Sequence, residues 1–372
     1  MNKKVFFGIL LILFVILFNI RLFSSYIETK NYIVYRQSNI SEVENILSKL
    51  SIKEKIASLL MINFYEDLDV MLKIIEEMKI SSFIIMSYNV DGDYDDFKKK
   101  LNFIKSHSNI LPITFSVDQE GGSVERLSSL IGKTDSLTKI FSLDGMKGVE
   151  KIAHKFGREL KELGIDINFS PVIELIKNDR SIVKNRVFSI DPVSNLIASQ
   201  RYIDIINSYG VISVAKHYPG YGTVEKDPHY EICIDKISKV DELKEPFVKI
   251  TNVKVIMSSH VIYANEDSLP ATLSEKIMSY TFDFFDGILI TDDLLMDSIT
   301  LGYDYRFAAL KAILAGNDII LLVDKTGNFN GWKQKIENLI DYLYRAYENG
   351  ELSEERIDRS LKKIIYLKLG LY

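Results

Sequence analysis

Residues 211–222 read VISVAKHYPGYG. The first five form a β-branched apolar run of strand length. The next seven hold a lysine, a histidine, a proline and two glycines, the residues of a turn rather than of a continuing helix. An apolar strand that empties into ionisable loop residues is what a buried parallel sheet looks like when its polar loops collect at one end.

Working outward, seven more short runs rich in Ile, Val and Phe occur: SLLMINF (58–64), SSFIIMS (81–87), ITFSV (113–117), IDINFS (165–170), VKVIM (253–257), GILIT (287–291) and NDIILLV (317–323). Between them lie stretches of helical period and charge. GVEKIAHKFGRELKELG (148–164) and YRFAALKAILAG (305–316) each close on a glycine, the usual residue just past a helix end. Strands alternating with helices imply a parallel sheet. Eight such units predict an α/β fold of the closed (β/α)8 TIM-barrel type rather than an open doubly wound sheet, whose GxGxxG fingerprint is absent. Residues 351–371 read as a last helix on the outside of the barrel.

The whole chain has 372 residues, 47% hydrophobic and 26% charged, with 7 prolines, a composition of ordered globular protein. Its formal net charge of -5 and scattered basic residues exclude the basic stripe of a nucleic-acid binder. Cys233, the single cysteine, has no partner for an internal disulfide and no neighbours for a cysteine metal site, so it reads as a packed hydrophobe. Lys3 and Lys4 precede an uncharged apolar run over residues 5–20. This predicts a signal peptide or membrane anchor over residues 1–25, read as uncleaved, with lysines in the cytoplasm and the body on the extracytoplasmic face, or secreted if cleaved. Residues 26–50 are expected to be a linker and leading helix, and 51–372 a single catalytic domain.

In a barrel of this kind, function sits on the loops after the strands. Four strands run into ionisable groups: ITFSV into DQEGGSVERL, VISVA into KHYPGYG, VKVIM into SSH, and GILI into TDDLLMD. Each has an ordinary structural explanation. Asp118 and Glu120 would cap a helix, Lys216 and His217 would be a solvated strand end, His260 a satisfied rim residue, and Asp292 or Asp293 an N-cap. His107 and His154, on helices, favour that explanation outright. The coincidence at four strand ends favours a site. A metal centre finds neither HxH nor HExxH, and no cofactor is implied. A Schiff base on Lys216 would need an apolar pocket, which His217 spoils. Glycoside hydrolysis, with a carboxylate attacking the anomeric carbon and a second group protonating the leaving oxygen, fits better.

Together DQEGGSVERL, KHYPG with a downstream DPH, SSHVIYANEDSLPATLS and ILITDDLLMDS resemble glycoside hydrolase family 3, in its single-domain β-N-acetylglucosaminidase (β-N-acetylhexosaminidase) branch. The resemblance spans residues 51–322 and includes NFSPVIEL (168–175), NRVFSIDP (185–192) and AILAGNDIILLV (312–323). It implies Asp292 as the nucleophile, His229 as acid/base on a loop, and Asp227 as its partner, with Asp293 left to bond nearby backbone. It further implies that Asp118, Arg126, Arg186, Lys216 and His217 grip the terminal sugar, as charge-assisted hydrogen bonds to hydroxyls would. An imidazolium, with an ordinary pKa of ~6.5, suits protonation of a leaving group, and an adjacent carboxylate orients such a ring. Two positions depart from the family pattern: Pro228 stands where a small polar residue is usual, and Tyr221 where a second histidine is common.

The expectation is therefore a retaining exo-β-N-acetylglucosaminidase that acts without metal or cofactor. Its expected substrate is a glycan ending in N-acetylglucosamine, from peptidoglycan fragments, and it acts as a monomer. Two rivals keep the barrel: a phosphorylase with phosphate as acceptor, and a tethered glycan-binding protein with weak turnover.

Overall fold

The computed structural model describes residues 40–90, 92–108 and 110–371. The chain divides into a unit Met1–Lys49 with Leu371 and a larger unit, Leu50–Gly370. The described part of the first is a helix over residues 40–47 and the turn after it.

In the larger unit, each apolar run becomes one strand of an eight-stranded sheet. In chain order these are Leu60–Asn63, Ser82–Ile85, Thr114–Val117, Ile167–Asn168, Ile212–Tyr218, Val255–Ser258, Ile288–Thr291 and Ile320–Leu322. Each pairs in parallel with its sequential neighbour, and the eighth pairs with the first. A bridge between Ile290 and Ile319 closes the remaining gap, with Thr291 N–H donating to the Ile319 carbonyl at 3.0 Å. Seven of the strands are buried at every position, as strands covered on both faces must be, which is why they read as largely apolar runs.

The helices between strands follow local rules. The long helix Leu137–Leu163 breaks at Gly145, whose φ of 54° interrupts it, and ends on Gly164 in the left-handed region. Tyr305–Ala315 starts at Asp304, whose carboxylate accepts from the Arg306 N–H, and ends at Gly316. The last helix, Glu354–Lys368, is sewn to the bottom of the barrel, where Lys368 Nζ donates to the Ser81 and Pro112 carbonyls at 2.8 and 2.9 Å. The bottom is thereby closed, and the polar loops collect at the opposite end.

The hydrophobic segment expected over residues 5–20 lies outside the described residues. Among the described residues no helix is long and apolar enough to cross a membrane. The longest, Leu137–Leu163, interleaves Lys, Asp, Glu and Arg with its apolar positions because only one face is buried. The described residues therefore correct the expectation to this extent: they show the barrel and no membrane-spanning helix before it. The signal-anchor reading, the membrane as a partner and the extracytoplasmic location gain no support from the described residues and are not carried further.

Candidate active site

The site is built from the residues that follow the third, fourth, fifth and seventh strands. After the third strand the chain makes an antiparallel pair, Gln119–Gly121 with Val124–Glu125. Gly122 turns it at φ 65°, where an added Cβ would lie 2.9 Å from Ser136. This hairpin places Asp118 and Glu120 toward the fifth strand. That strand continues past Ala215 through Lys216 and His217 to Tyr218, and its ladder to the sixth strand shifts register between Lys216 and Tyr218.

Lys216 and His217 are consequently both buried, at 1% and 3% exposure. Lys216 Nζ donates to Asp118 Oδ1 at 2.7 Å and to Glu120 Oε1 at 2.6 Å. Arg186 clasps the same Glu120 in a two-pronged contact, Nε to Oε2 at 2.9 Å and Nη2 to Oε1 at 2.8 Å. Burial alone would raise the Glu120 pKa, but the two cations outweigh it and hold the carboxyl down at about 2. Glu120 therefore does not cap a helix; it is the anion at the centre of a buried ion network.

The fourth strand's continuation adds Glu174. Its Oε1 accepts from His217 N–H at 3.0 Å and lies 2.6 Å from His217 Nδ1, and its Oε2 accepts from the Tyr221 N–H at 2.6 Å. Burial pushes the Glu174 pKa up to about 7. Burial, then the cations of Arg186 and Lys216, push that of His217 well below its ordinary value. A carboxylate accepting two backbone N–H groups leaves the third contact to a donor, so the proton of neutral His217 sits on Nδ1. Its Nε2 is then an acceptor, 3.5 Å from Arg186 Nη2. Tyr221 packs edge-on against His217, ring centres 5.3 Å apart.

After the seventh strand two aspartates part company. Asp293 is nearly buried: its Oδ1 accepts from Leu295 N–H and Val323 N–H at 3.0 and 2.9 Å, and burial pushes its pKa up to about 6. Asp292 is only half-buried. Among the described residues the one hydrogen bond to its carboxylate comes from the Asp293 N–H, at 2.8 Å. His260, from the sixth strand's end, donates or accepts at Thr272 Oγ1 and contacts the Asp293 carbonyl through Nε2 at 3.0 Å, so it is a satisfied buried histidine.

The loop after the fifth strand starts at Gly222, where φ is 60° and a Cβ would meet Asp235 Oδ2 at 2.0 Å. Asp235 clamps this base by accepting from Thr223 N–H at 2.7 Å and from the Ile237 and Ser238 N–H groups at 2.8 Å. At the tip, Asp227 Oδ1 lies 2.7 Å from His229 Nδ1 and accepts from the His229 N–H at 2.9 Å. Pro228 between them lacks an N–H, yet its carbonyl accepts from the Ser298 N–H at 3.0 Å, six residues beyond Asp292. That bond brings the loop carrying His229 to the segment that follows Asp292.

Asp118, Arg186, Lys216 and His217 thus share one network, whereas Asp227 with His229 and Asp292 stand apart from it on two other loops. Arg126 is not joined to this network by a hydrogen bond or ion pair among the described residues, and its Nε is buried without a partner there. Sequence reasoning missed Glu174 and gave Glu120 a lesser part. A signal for Glu174 existed: IDINFS runs into PVIEL, a fifth strand end with an ionisable group. Among the described residues no group of three His, Cys, Asp or Glu side chains could hold a metal ion.

Residues 51–367 match the Glycosyl hydrolase family 3 N terminal domain. The chain is 29% identical over 343 residues to Beta-hexosaminidase LpqI of Mycobacterium tuberculosis (strain ATCC 25618 / H37Rv), covering 88% of this chain and 85% of that protein. The solved structure of M tuberculosis LpqI superposes with a TM-score of 0.77 at 27% identity, covering 88% of this chain and 96% of that one. A glycoside hydrolase family 3 beta-N-acetylglucosaminidase from Paenibacillus sp. str. FPU-7 also gives a TM-score of 0.77 at 27% identity, covering 86% of this chain and 62% of the other.

Proposed function

We propose, from the premise that this chain belongs to glycosyl hydrolase family 3 and is a glycoside hydrolase of its β-N-acetylglucosaminidase branch, that it removes terminal β-linked N-acetylglucosamine with retention, through an ester on Asp292. The observation that carries the reading is the His229–Asp227 pair at 2.7 Å, on a loop hydrogen-bonded to the segment that follows Asp292.

The proposed roles come from the family resemblance, and the geometry is compatible with them. Asp292, with its carboxylate uncommitted to any side-chain donor, attacks C1 while the bond from C1 to the leaving oxygen breaks. His229 is tied to Asp227 through Nδ1, so Nε2 faces outward and gives its proton to that oxygen. Water then adds to C1, Nε2 takes the water's proton, and the bond from C1 to the Asp292 oxygen breaks, restoring both groups. Asp118, Lys216, Arg186, His217 and Arg126 hold the terminal sugar. The buried network fixes the first four in advance, so little ordering of them remains when the sugar arrives.

Peptidoglycan fragments are the proposed source of the terminal sugar, on the family relationship alone. The reading is tested by proton NMR of the first product released from a β-N-acetylglucosaminide. The β-anomer of free N-acetylglucosamine is expected to appear before mutarotation. Initial release of the α-anomer would exclude the two-step route, and a sugar 1-phosphate formed in phosphate buffer would make the enzyme a phosphorylase.

A further inference from the structure

Beside the nucleophile's strand, a groove of about 480 Å³ opens at the ends of the first, second and eighth strands, lined among others by Tyr65, Glu66, Tyr88, Asp324 and Lys325. Its volume is that of a small-ligand site. It lies at the polar end of the barrel, the end that carries Asp292. Val323 N–H bonds Asp293 Oδ1 at 2.9 Å, and the next residue, Asp324, is the groove's wall.

The wall is held rigidly. Tyr88 Oη donates to the Asp324 carbonyl at 2.7 Å and accepts from Asn63 Nδ2 at 2.8 Å. Tyr65 Oη donates to Asp324 Oδ2 at 3.0 Å, and Thr326 N–H occupies the other carboxylate oxygen at 2.8 Å. Yet Tyr88 remains 54% exposed. With its hydroxyl engaged twice, what Tyr88 offers solvent is its ring. An aromatic face fixed by its own hydroxyl beside a catalytic centre suits the apolar C–H face of a pyranose, and Glu66 and Lys325 place an acceptor and a donor at the rim for hydroxyls.

We propose that this groove seats the leaving-group sugar, the pyranose ring attached to the terminal N-acetylglucosamine, with Tyr88 as its platform. The inference rests on the glycosidase reading above. The terminal ring is confined by the buried network of Glu120, Lys216 and Arg186, so the chain of sugars must extend outward past Asp292. The eighth strand, next to the nucleophile's strand, supplies the adjoining wall.

The test compares kcat/KM of the full chain on the β-1,4-linked disaccharide of N-acetylglucosamine with that on methyl β-N-acetylglucosaminide, whose leaving group has no ring. Tyr88→Ala is expected to lower the disaccharide value about tenfold or more beyond its effect on the methyl glycoside, the range for one lost apolar contact in a specificity pocket. Tyr88→Phe, which keeps the ring, is expected to stay within about threefold on this ratio. Lys325→Ala, at an exposed position where folding is not at stake, is expected to raise KM for the disaccharide more than for the methyl glycoside. Equal losses on both substrates, or none on either, would overturn the proposal. If the wild-type chain hydrolyses neither sugar, the glycosidase reading fails instead. The groove is then decided by calorimetric titration with the disaccharide: saturable binding lost in Tyr88→Ala sustains it, and binding indifferent to Tyr88 removes it.

Discussion

The floor of the site and the loop above it are built on opposite principles. The floor groups Glu120, Lys216, Glu174 and His217 have side chains no more than 4% exposed, and every charge there meets a partner. The loop pair is open to solvent, His229 at 52% and Asp227 at 43%. Burial makes a charge expensive unless it is paired, so the floor can be both charged and rigid only as a complete network. Exposure removes that constraint, so the loop can carry a proton donor whose loss the fold would tolerate. On the proposed roles, binding is coupled to stability, and proton transfer is not.

Substitutions can break this contrast. The largest expected effect is on turnover: His229→Ala should lower kcat by about 10²–10⁴-fold while leaving the thermal midpoint unmoved, checked by steady-state kinetics and a melt of the same sample. A matching fall in stability would erase the distinction. Next, Glu120→Gln leaves Lys216 and Arg186 buried with their shared anion gone, and should cost about 3 kcal/mol of stability, read by denaturant unfolding.

The pH dependence of that cost has a definite sign. The Glu120 carboxyl sits at about 2 in the folded state against an ordinary 4.5, so its contribution is complete above pH 4.5 and disappears as pH falls toward 2. The gap between wild type and Glu120→Gln should therefore close across that window. A gap independent of pH would mean that Glu120 acts through shape rather than charge.

Asp227→Asn, which keeps the loop's size but weakens its hold on the imidazole, should lower kcat about 10–100-fold, in line with loss of a supporting partner, again without a change in melting. The smallest effect is expected at Pro228. Its contribution to docking is its carbonyl, which any residue has, so Pro228→Ser should keep activity within about threefold and change stability by less than about 1 kcal/mol.

The same contrast explains what the sequence disclosed. The eight strands were legible because parallel strands covered on both faces become apolar runs. The fifth was read too short, since Lys216 and His217 extend the ladder while serving the site. His229 and Asp227 were singled out by the family resemblance, and their contact, two residues apart, is a local one. The floor was not: Glu120 and Arg186 lie 66 positions apart and Glu174 and His217 lie 43 apart. Nothing in either segment says that a carboxylate will meet a cation rather than cap a helix. Glu174 follows a strand end, but only the pairing of the fourth and fifth strands brings it to His217.

On the proposed mechanism Asp292, the carboxylate left unclaimed, and not its buried neighbour Asp293, becomes esterified. The direct measurement is peptide mass spectrometry after incubation with a 5-fluoro-N-acetylglucosaminide that slows release of the sugar. The account predicts a peptide carrying the sugar mass, with fragmentation placing it on Asp292. An adduct on Asp293, or steady turnover of the same compound with no adduct on any carboxylate, would contradict it.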